Sequence, residues 1–181
     1  MTADLFSDFQ QDHFALFGLP RRFALDGAAL DTLWRTAAAQ VHPDRFASAG
    51  DAEKRVALMA ATRVNEAYQT LKSPLARARY LLMLAGVDTA EETNTSMPPA
   101  FLMAQIEWRE AIEDARHGHD VDALERLSRQ LRQDMCAMED ELGAALDERH
   151  DHDSAALLVR KLRFLEKLDQ EIGDAIEALL F

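Results

Sequence analysis

Apolar residues recur along most of this chain at helical spacing, and the interruptions between them divide it into seven segments. A short first helix is expected around Asp12–Gly18, ended by Gly18-Leu19-Pro20. The second opens at Asp26, a residue suited to an N-cap, and runs to about His42 along Leu30, Leu33, Trp34, Ala37 and Val41. The segment His42-Pro43-Asp44-Arg45-Phe46 cannot continue it. Proline lacks the amide donor and pushes the residue before it out of helical geometry. A third helix restarts near Gly50-Asp51 and reaches Lys72, striped by Val56, Ala60, Val64, Ala67 and Leu71. Ser73-Pro74 breaks it, Pro74 suits the first position of a fourth helix to Ala85, and Gly86 suits the position just past its end.

Residues 87–98 are polar and unpatterned, as a linker would be. Three longer helices follow, at about Pro99–Arg116, Val121–Arg149 and Ser154–Leu180, with His117-Gly118-His119 as the first turn. Val121, Leu124, Leu131, Met135, Leu142 and Leu146 stripe the middle one. Leu158, Leu162, Leu165, Ile172, Ile176 and Leu179 stripe the last. Long helices joined by short turns pack antiparallel, so a three-helix bundle is expected. The reading is an all-α chain with a first domain over 1–86, a linker over 87–98 and a bundle over 99–181.

Composition agrees with this: only 7 Gly and 5 Pro interrupt a chain rich in Ala, Leu, Glu and Arg. Charge adds a distinction between the halves. Residues 1–86 carry 10 Lys/Arg against 9 Asp/Glu, residues 87–181 carry 10 against 23, and +1 and −13 sum to the net −12. A chain this acidic is repelled by phosphate, so neither nucleic acid nor an anionic membrane is expected as a partner. No apolar run approaches the ~18 residues of a membrane span. The first twenty residues lack Lys and Arg and carry Asp4, Asp8 and Asp12, unlike a secretory signal or a mitochondrial presequence. A cytoplasmic protein is the expectation.

Candidate chemistry is sparse. No Gly-rich phosphate loop, Ser/His/Asp set or Cys/His pair occurs, so neither an enzyme nor a cofactor is expected. Cys136 is single and lies beside Met135 and Met138, where a small buried side chain is expected. His150-Asp151-His152-Asp153 has metal-compatible side chains, but adjacent residues rarely converge on one ion. A solvated turn with Asp153 or Ser154 as N-cap is expected there, and no metal.

The helix from Pro99 is different, because it has two apolar faces. Phe101, Ala104, Trp108, Ile112 and Ala115 supply one for a core. Leu102, Met103 and Ile106 lie opposite, among Glu107, Glu110 and Asp114. Two readings stay open: a partner surface with a charged rim, or packing against the first domain or the linker.

His42-Pro43-Asp44 sits between two amphipathic helices of opposed direction. Phe14-x-x-Phe17-Gly18-Leu19 precedes them; Asn65-Glu66-Ala67-Tyr68 with Leu71, then Pro74-x-x-Arg77-x-x-Tyr80, follows. From residue 12 to about 80 the chain resembles the J-domain family. The resemblance implies that His42, Pro43 and Asp44, helped by Arg35 and Arg45, contact a DnaK-type chaperone and trigger ATP hydrolysis there. A proline-stiffened tip loses little entropy on docking, and a carboxylate can accept a charge-assisted bond from an arginine. J-domains usually carry several basic residues on the helix before this loop. Here that helix offers only Arg35, with Arg45 just beyond and Lys54 and Arg55 opening the next, so steering is weaker.

The Gly/Phe-rich linkers and CxxC repeats of generic J-proteins are lacking. Instead Phe101-Leu-Met-x-Gln-Ile-Glu-x-Arg-Glu, Pro74-Leu-Ala-Arg77 and Val159-Arg-Lys-Leu-Arg-Phe-Leu-x-Lys-Leu resemble the HscB family over nearly the whole chain. That family implies an L-shaped pair of domains, the J-domain and a three-helix bundle. It implies two partners, a specialised HscA-type chaperone and the IscU-type scaffold on which iron–sulfur clusters are built. Carried over by position, the scaffold-binding residues are Leu102, Met103, Ile106, Glu107, Glu110, Asp114 and Phe164; the position matched to Asp114 is often Glu. Two other functions remain: a J-domain co-chaperone for a different client, and a structural interaction protein whose tripeptide is incidental.

Overall fold

A computed structural model of the chain describes residues 11–91 and 97–180. Its helices are α1 (His13–Leu16), α2 (Gly27–Val41), α3 (Asp51–Lys72), α4 (Pro74–Leu84), α5 (Pro99–His117), α6 (Val121–Gly143) and α7 (His152–Leu180). A 3-10 turn (Pro43–Phe46) separates α2 from α3, and a π-helical segment (Ala144–Arg149) extends α6. Among the described residues there is no strand. The chain forms two compact units, residues 1–81 and 82–181, dividing within α4.

In the first unit, local chemistry sets each helix end. Asp26 caps α2, its carboxylate accepting from the amides of Ala28 at 2.9 Å and Ala29 at 3.2 Å. Ser73 starts α4 by accepting from the Ala76 amide at 3.2 Å, with Pro74 next to it. Phe14, Leu30, Val41, Ala60, Val64, Ala67 and Leu71 are buried between α1, α2 and α3. The seam of α3 starts at Ala57, and Val56, expected in the stripe, is exposed. Spacings of three and four from Ala60 both fit a helix; Ala57 is the smaller side chain and lets α2 approach closely.

A polar cluster fastens α2 to α3. The Tyr68 hydroxyl donates to Asp31 at 2.8 Å, and the Lys72 ammonium reaches Asp31 at 3.2 Å. Trp34 stacks on Tyr68 with ring centres 4.6 Å apart and donates its indole N–H to Asn65 at 3.0 Å. Buried Arg77 joins α4 to them: it donates to the Leu71 carbonyl at 2.9 Å and lies over the Phe23 ring. A cation at the C-terminal carbonyls of α3 also complements the helix dipole.

In the second unit, Ile112, Ala115, Leu124, Leu131, Leu165, Leu168 and Ile172 form the centre of the α5–α6–α7 core. Leu158, expected in the α7 stripe, is half-buried, and Val159 takes the buried place. The π-helical segment keeps Ala145 and Leu146 buried at the end of α6. α4 ends as the glycine predicts: Gly86 has φ +74°, Val87 N–H donates to Leu82 at 2.9 Å, and Gly86 N–H to Met83 at 3.0 Å. The turn after α5 uses His119, not Gly118, for its left-handed residue, at φ +52°.

The N-cap of α7 is Asp151, in place of the expected Asp153 or Ser154. Its carboxylate accepts from the Ser154 amide at 3.0 Å and the Ser154 hydroxyl at 2.6 Å. Cys136 is exposed, not buried, because it lies off the stripe of Leu131, Met135 and Leu142. The start of the polar segment 87–98 is tied down. Arg160 donates to the Thr89 carbonyl at 2.9 Å, and Arg163 pairs with Glu91 at 3.4 Å.

The fold yields two stability predictions. Removing the Tyr68 hydroxyl (Tyr68→Phe) should cost the first unit about 0.5–1.5 kcal/mol in urea unfolding. The Tyr68 hydroxyl, with Lys72, holds the Asp31 carboxyl below the usual carboxylate range. A depressed folded-state value stabilises above the unfolded value, so this contribution should fade as pH falls below about 4. Asp31→Asn should flatten that part of the stability–pH curve.

Candidate functional site

The tip of the first unit follows from one missing proton. With no amide hydrogen on Pro43, α2 stops at Val41, and His42 turns extended at φ −60° and ψ 131°. The His42 ring then folds over the turn, its Nδ1 accepting from the Asp44 amide at 3.3 Å. The Asp44 carboxylate also stands 3.7 Å from Nδ1, but one nitrogen cannot both accept the amide proton and donate to the carboxylate. The shorter amide contact defines the arrangement and leaves the carboxylate with only the longer approach to the ring. Asp44's side chain is 92% exposed.

Pro43 and Arg45 are exposed beside it. Arg45 reaches back to the Ala39 carbonyl at 3.4 Å, which ties the turn to the end of α2. Arg35, also exposed, lies about two turns earlier on the same helix. The structure therefore gathers His42, Pro43, Asp44 and Arg45 at one tip, with Arg35 along its flank. Such a tip can donate and accept hydrogen bonds, but nothing in it forms a nucleophile or a phosphate cradle.

The second candidate surface lies on α5. Leu102, Met103 and Ile106 are 43%, 63% and 58% exposed. Glu107, Glu110 and Asp114 are exposed next to them. At about 100° per residue these six span an arc of about 140°, so they form one face. Inside the second unit this face is not packed.

Phe164 of α7 borders the face. It lines a cavity of about 280 Å³ together with Leu102, and Phe101 meets it edge-on with ring centres 6.2 Å apart. Arg109 lies over the Phe164 ring at 5.0 Å, a cation–π contact that fixes the ring from the solvent side. Sequence reasoning missed Arg109. It lies about 20° from Leu102 around α5, toward α7, and that position was the available signal. Sequence reasoning also missed Gln105, buried in the cavity wall.

Among the described residues, no three His, Cys, Asp or Glu side chains are grouped as a metal site needs. No described helix is long and apolar enough to cross a membrane.

The described residues thus form a helical hairpin with an exposed His-Pro-Asp tip and a helical second unit. Residues 97–173 match the family model described as the HSCB C-terminal oligomerisation domain. A co-chaperone protein HscB homolog of Chromobacterium violaceum is 72% identical over 96% of this chain and 98% of that protein. Chaperone HscB from Vibrio cholerae has a TM-score of 0.83 at 35% identity, covering 93% of this chain and 99% of that one. The human co-chaperone HscB crystal structure has a TM-score of 0.86 at 29% identity, covering 92% of this chain and 82% of that one. The chain belongs to the HscB co-chaperone family.

Exposure separates site from core in a way unfolding can measure. Met103→Ser and Asp44→Ala should each change stability by less than about 0.5 kcal/mol in urea. Ile112→Ala, on the opposite face of the same helix as Met103, should cost about 2–5 kcal/mol.

Proposed function

We propose that this protein carries an IscU-type iron–sulfur scaffold to an HscA-type, DnaK-like chaperone and stimulates that chaperone's ATPase. The observation that carries this reading is the apolar face of α5, exposed beside carboxylates in a unit whose core is complete without it. The second unit holds the scaffold through Leu102, Met103, Ile106 and Phe164, with Glu107, Glu110 and Asp114 as an acidic rim. The first unit meets the chaperone through His42, Pro43 and Asp44, with Arg35 and Arg45 at the edge of the contact.

Each part has a physical role. Asp44 gives a partner guanidinium an exposed acceptor, and Pro43 keeps the tip from paying an ordering cost on docking. The face on α5 supplies apolar area, and its carboxylates select a basic rim on the scaffold. Holding the scaffold and the chaperone on one chain raises the concentration of one near the other. ATP hydrolysis takes place in the chaperone, and the chemistry of the cluster stays on the scaffold.

Steady-state ATP hydrolysis by an HscA-type chaperone tests this, with the protein and the scaffold added singly and together. The pair should stimulate more than the sum of its parts. Asp44→Ala should abolish stimulation without loss of scaffold binding, and Met103→Ala should remove the scaffold-dependent portion alone. Stimulation by the protein with no further effect of scaffold would assign a different client. Sedimentation at the assay concentration checks the other occupant for the α5 face, a second copy of this chain. A dimer broken by Met103→Ser would overturn the scaffold assignment.

A further inference from the structure

The cavity beside Phe164 has a chemistry of its own. Leu102 and Gln105 line it from α5, Arg160, Arg163, Phe164 and Lys167 from α7, and Glu91 and Met97 from the approach to α5. The four α7 residues are spaced i, i+3, i+4 and i+7, so one side of that helix faces the space.

Two buried donors in its wall have no acceptor among the described residues. Gln105 is 5% exposed, and its Nε2 has no hydrogen-bond partner. Arg160 satisfies the Thr89 carbonyl through one terminal nitrogen, while its buried Nε is also without a partner. Leaving a buried donor unmade costs about 1–3 kcal/mol, so an acceptor arriving in this cavity would be stabilised.

The charge has the same sense. Arg163 is paired with Glu91, whereas Lys167 is exposed and pairs with no carboxylate among the described residues. Two arginines and a lysine against one glutamate leave the wall cationic. Across the apolar strip of Leu102 and Ile106 lies the acidic rim of Glu107, Glu110 and Asp114. The docking face thus has an acidic side and a basic side with apolar residues between.

We infer that this cavity receives an acidic side chain of the docked scaffold protein, whose carboxylate accepts from Gln105 and pairs with Lys167, and that the two-signed face thereby fixes the scaffold's orientation. The inference rests on the scaffold reading above. A partner carrying basic groups toward α5 and an acidic group toward α7 fits one way round; turned end for end, it sets like charges against each other. The apolar lining of Leu102, Met97 and Phe164 takes the methylenes of a Glu or Asp and lowers the local dielectric, which strengthens the ion pair. The volume of about 280 Å³ accommodates one such side chain.

The test is the affinity of the full chain for a cluster-free IscU-type scaffold, measured by calorimetry. Lys167→Glu should raise Kd about tenfold and Lys167→Ala several-fold. Gln105→Leu, checked for native unfolding behaviour, should raise Kd about tenfold. An Asp or Glu on the scaffold changed to Lys should restore binding to Lys167→Glu while weakening binding to the wild type. Binding of all three variants within twofold of wild type, with Met103→Ala still weakened, overturns the cavity assignment and leaves the docking face standing. No weakening by Met103→Ala or Leu102→Ala overturns the docking face, and the cavity's role falls with it. Glutarate and inorganic phosphate are titrated alone as probes of a free-anion site. Saturable binding of either at low millimolar concentration, lost in Lys167→Glu, overturns the inference in favour of a small-molecule site.

Discussion

A helix that packs in a three-helix bundle has one seam to bury, and the rest of its surface must tolerate water. Most helices here keep to that limit. α6 buries Leu124, Leu131 and Leu142 and turns charge outward, and α7 buries Val159, Leu162, Leu165, Leu168 and Ile172. α5 exceeds it. With Ile112 and Ala115 in the core, its second set of apolar residues has nowhere to go inside the unit. Phe164, with Arg109 of α5 over its ring, extends that surplus onto α7, and the cavity lies beside it. The first unit follows the same limit in another form. Its hairpin is sealed by small residues and a polar cluster, and its tip lies where the backbone cannot stay helical.

Much of this was legible because proline, glycine and acidic caps act locally. Pro43, Pro74, Asp26 and Gly86 each do in the structure what their chemistry predicts within a few residues of chain. The two faces of α5 were legible too, because periodicity exposes a surplus stripe. The losses come where two solutions are locally equal. Val56 and Ala57 both fit the α3 repeat, and Leu158 and Val159 both fit that of α7; packing against the neighbour decides between them. Asp151, Asp153 and Ser154 are all good caps, and only the path out of the π-helical segment selects Asp151. Cys136 was misplaced by its neighbours, since Met135 and Met138 are half-buried while Cys136 faces water.

The candidate site divides along the same line. The tip and the α5 face could be read from the sequence as candidates, because each lies within one short stretch of it. The cavity could not. Gln105, Arg160 and Lys167 are ordinary on their own helices and acquire meaning only when α5 and α7 lie side by side. The grip of Arg160 and Arg163 on Thr89 and Glu91 is hidden for the same reason, and it makes part of an apparently featureless polar stretch belong to the bundle.

The exposure of Asp44 has a genetic consequence. A side chain that supports nothing in the fold can be lost without the protein being cleared as misfolded. Under the proposed function, a copy damaged there still occupies scaffold through its intact second unit while failing to engage the chaperone. In a cell making both forms, the defective copies compete with the good ones for the same client. Substitutions at the tip should therefore behave as dominant when overproduced, whereas losses in the core, which remove the whole protein, should be recessive.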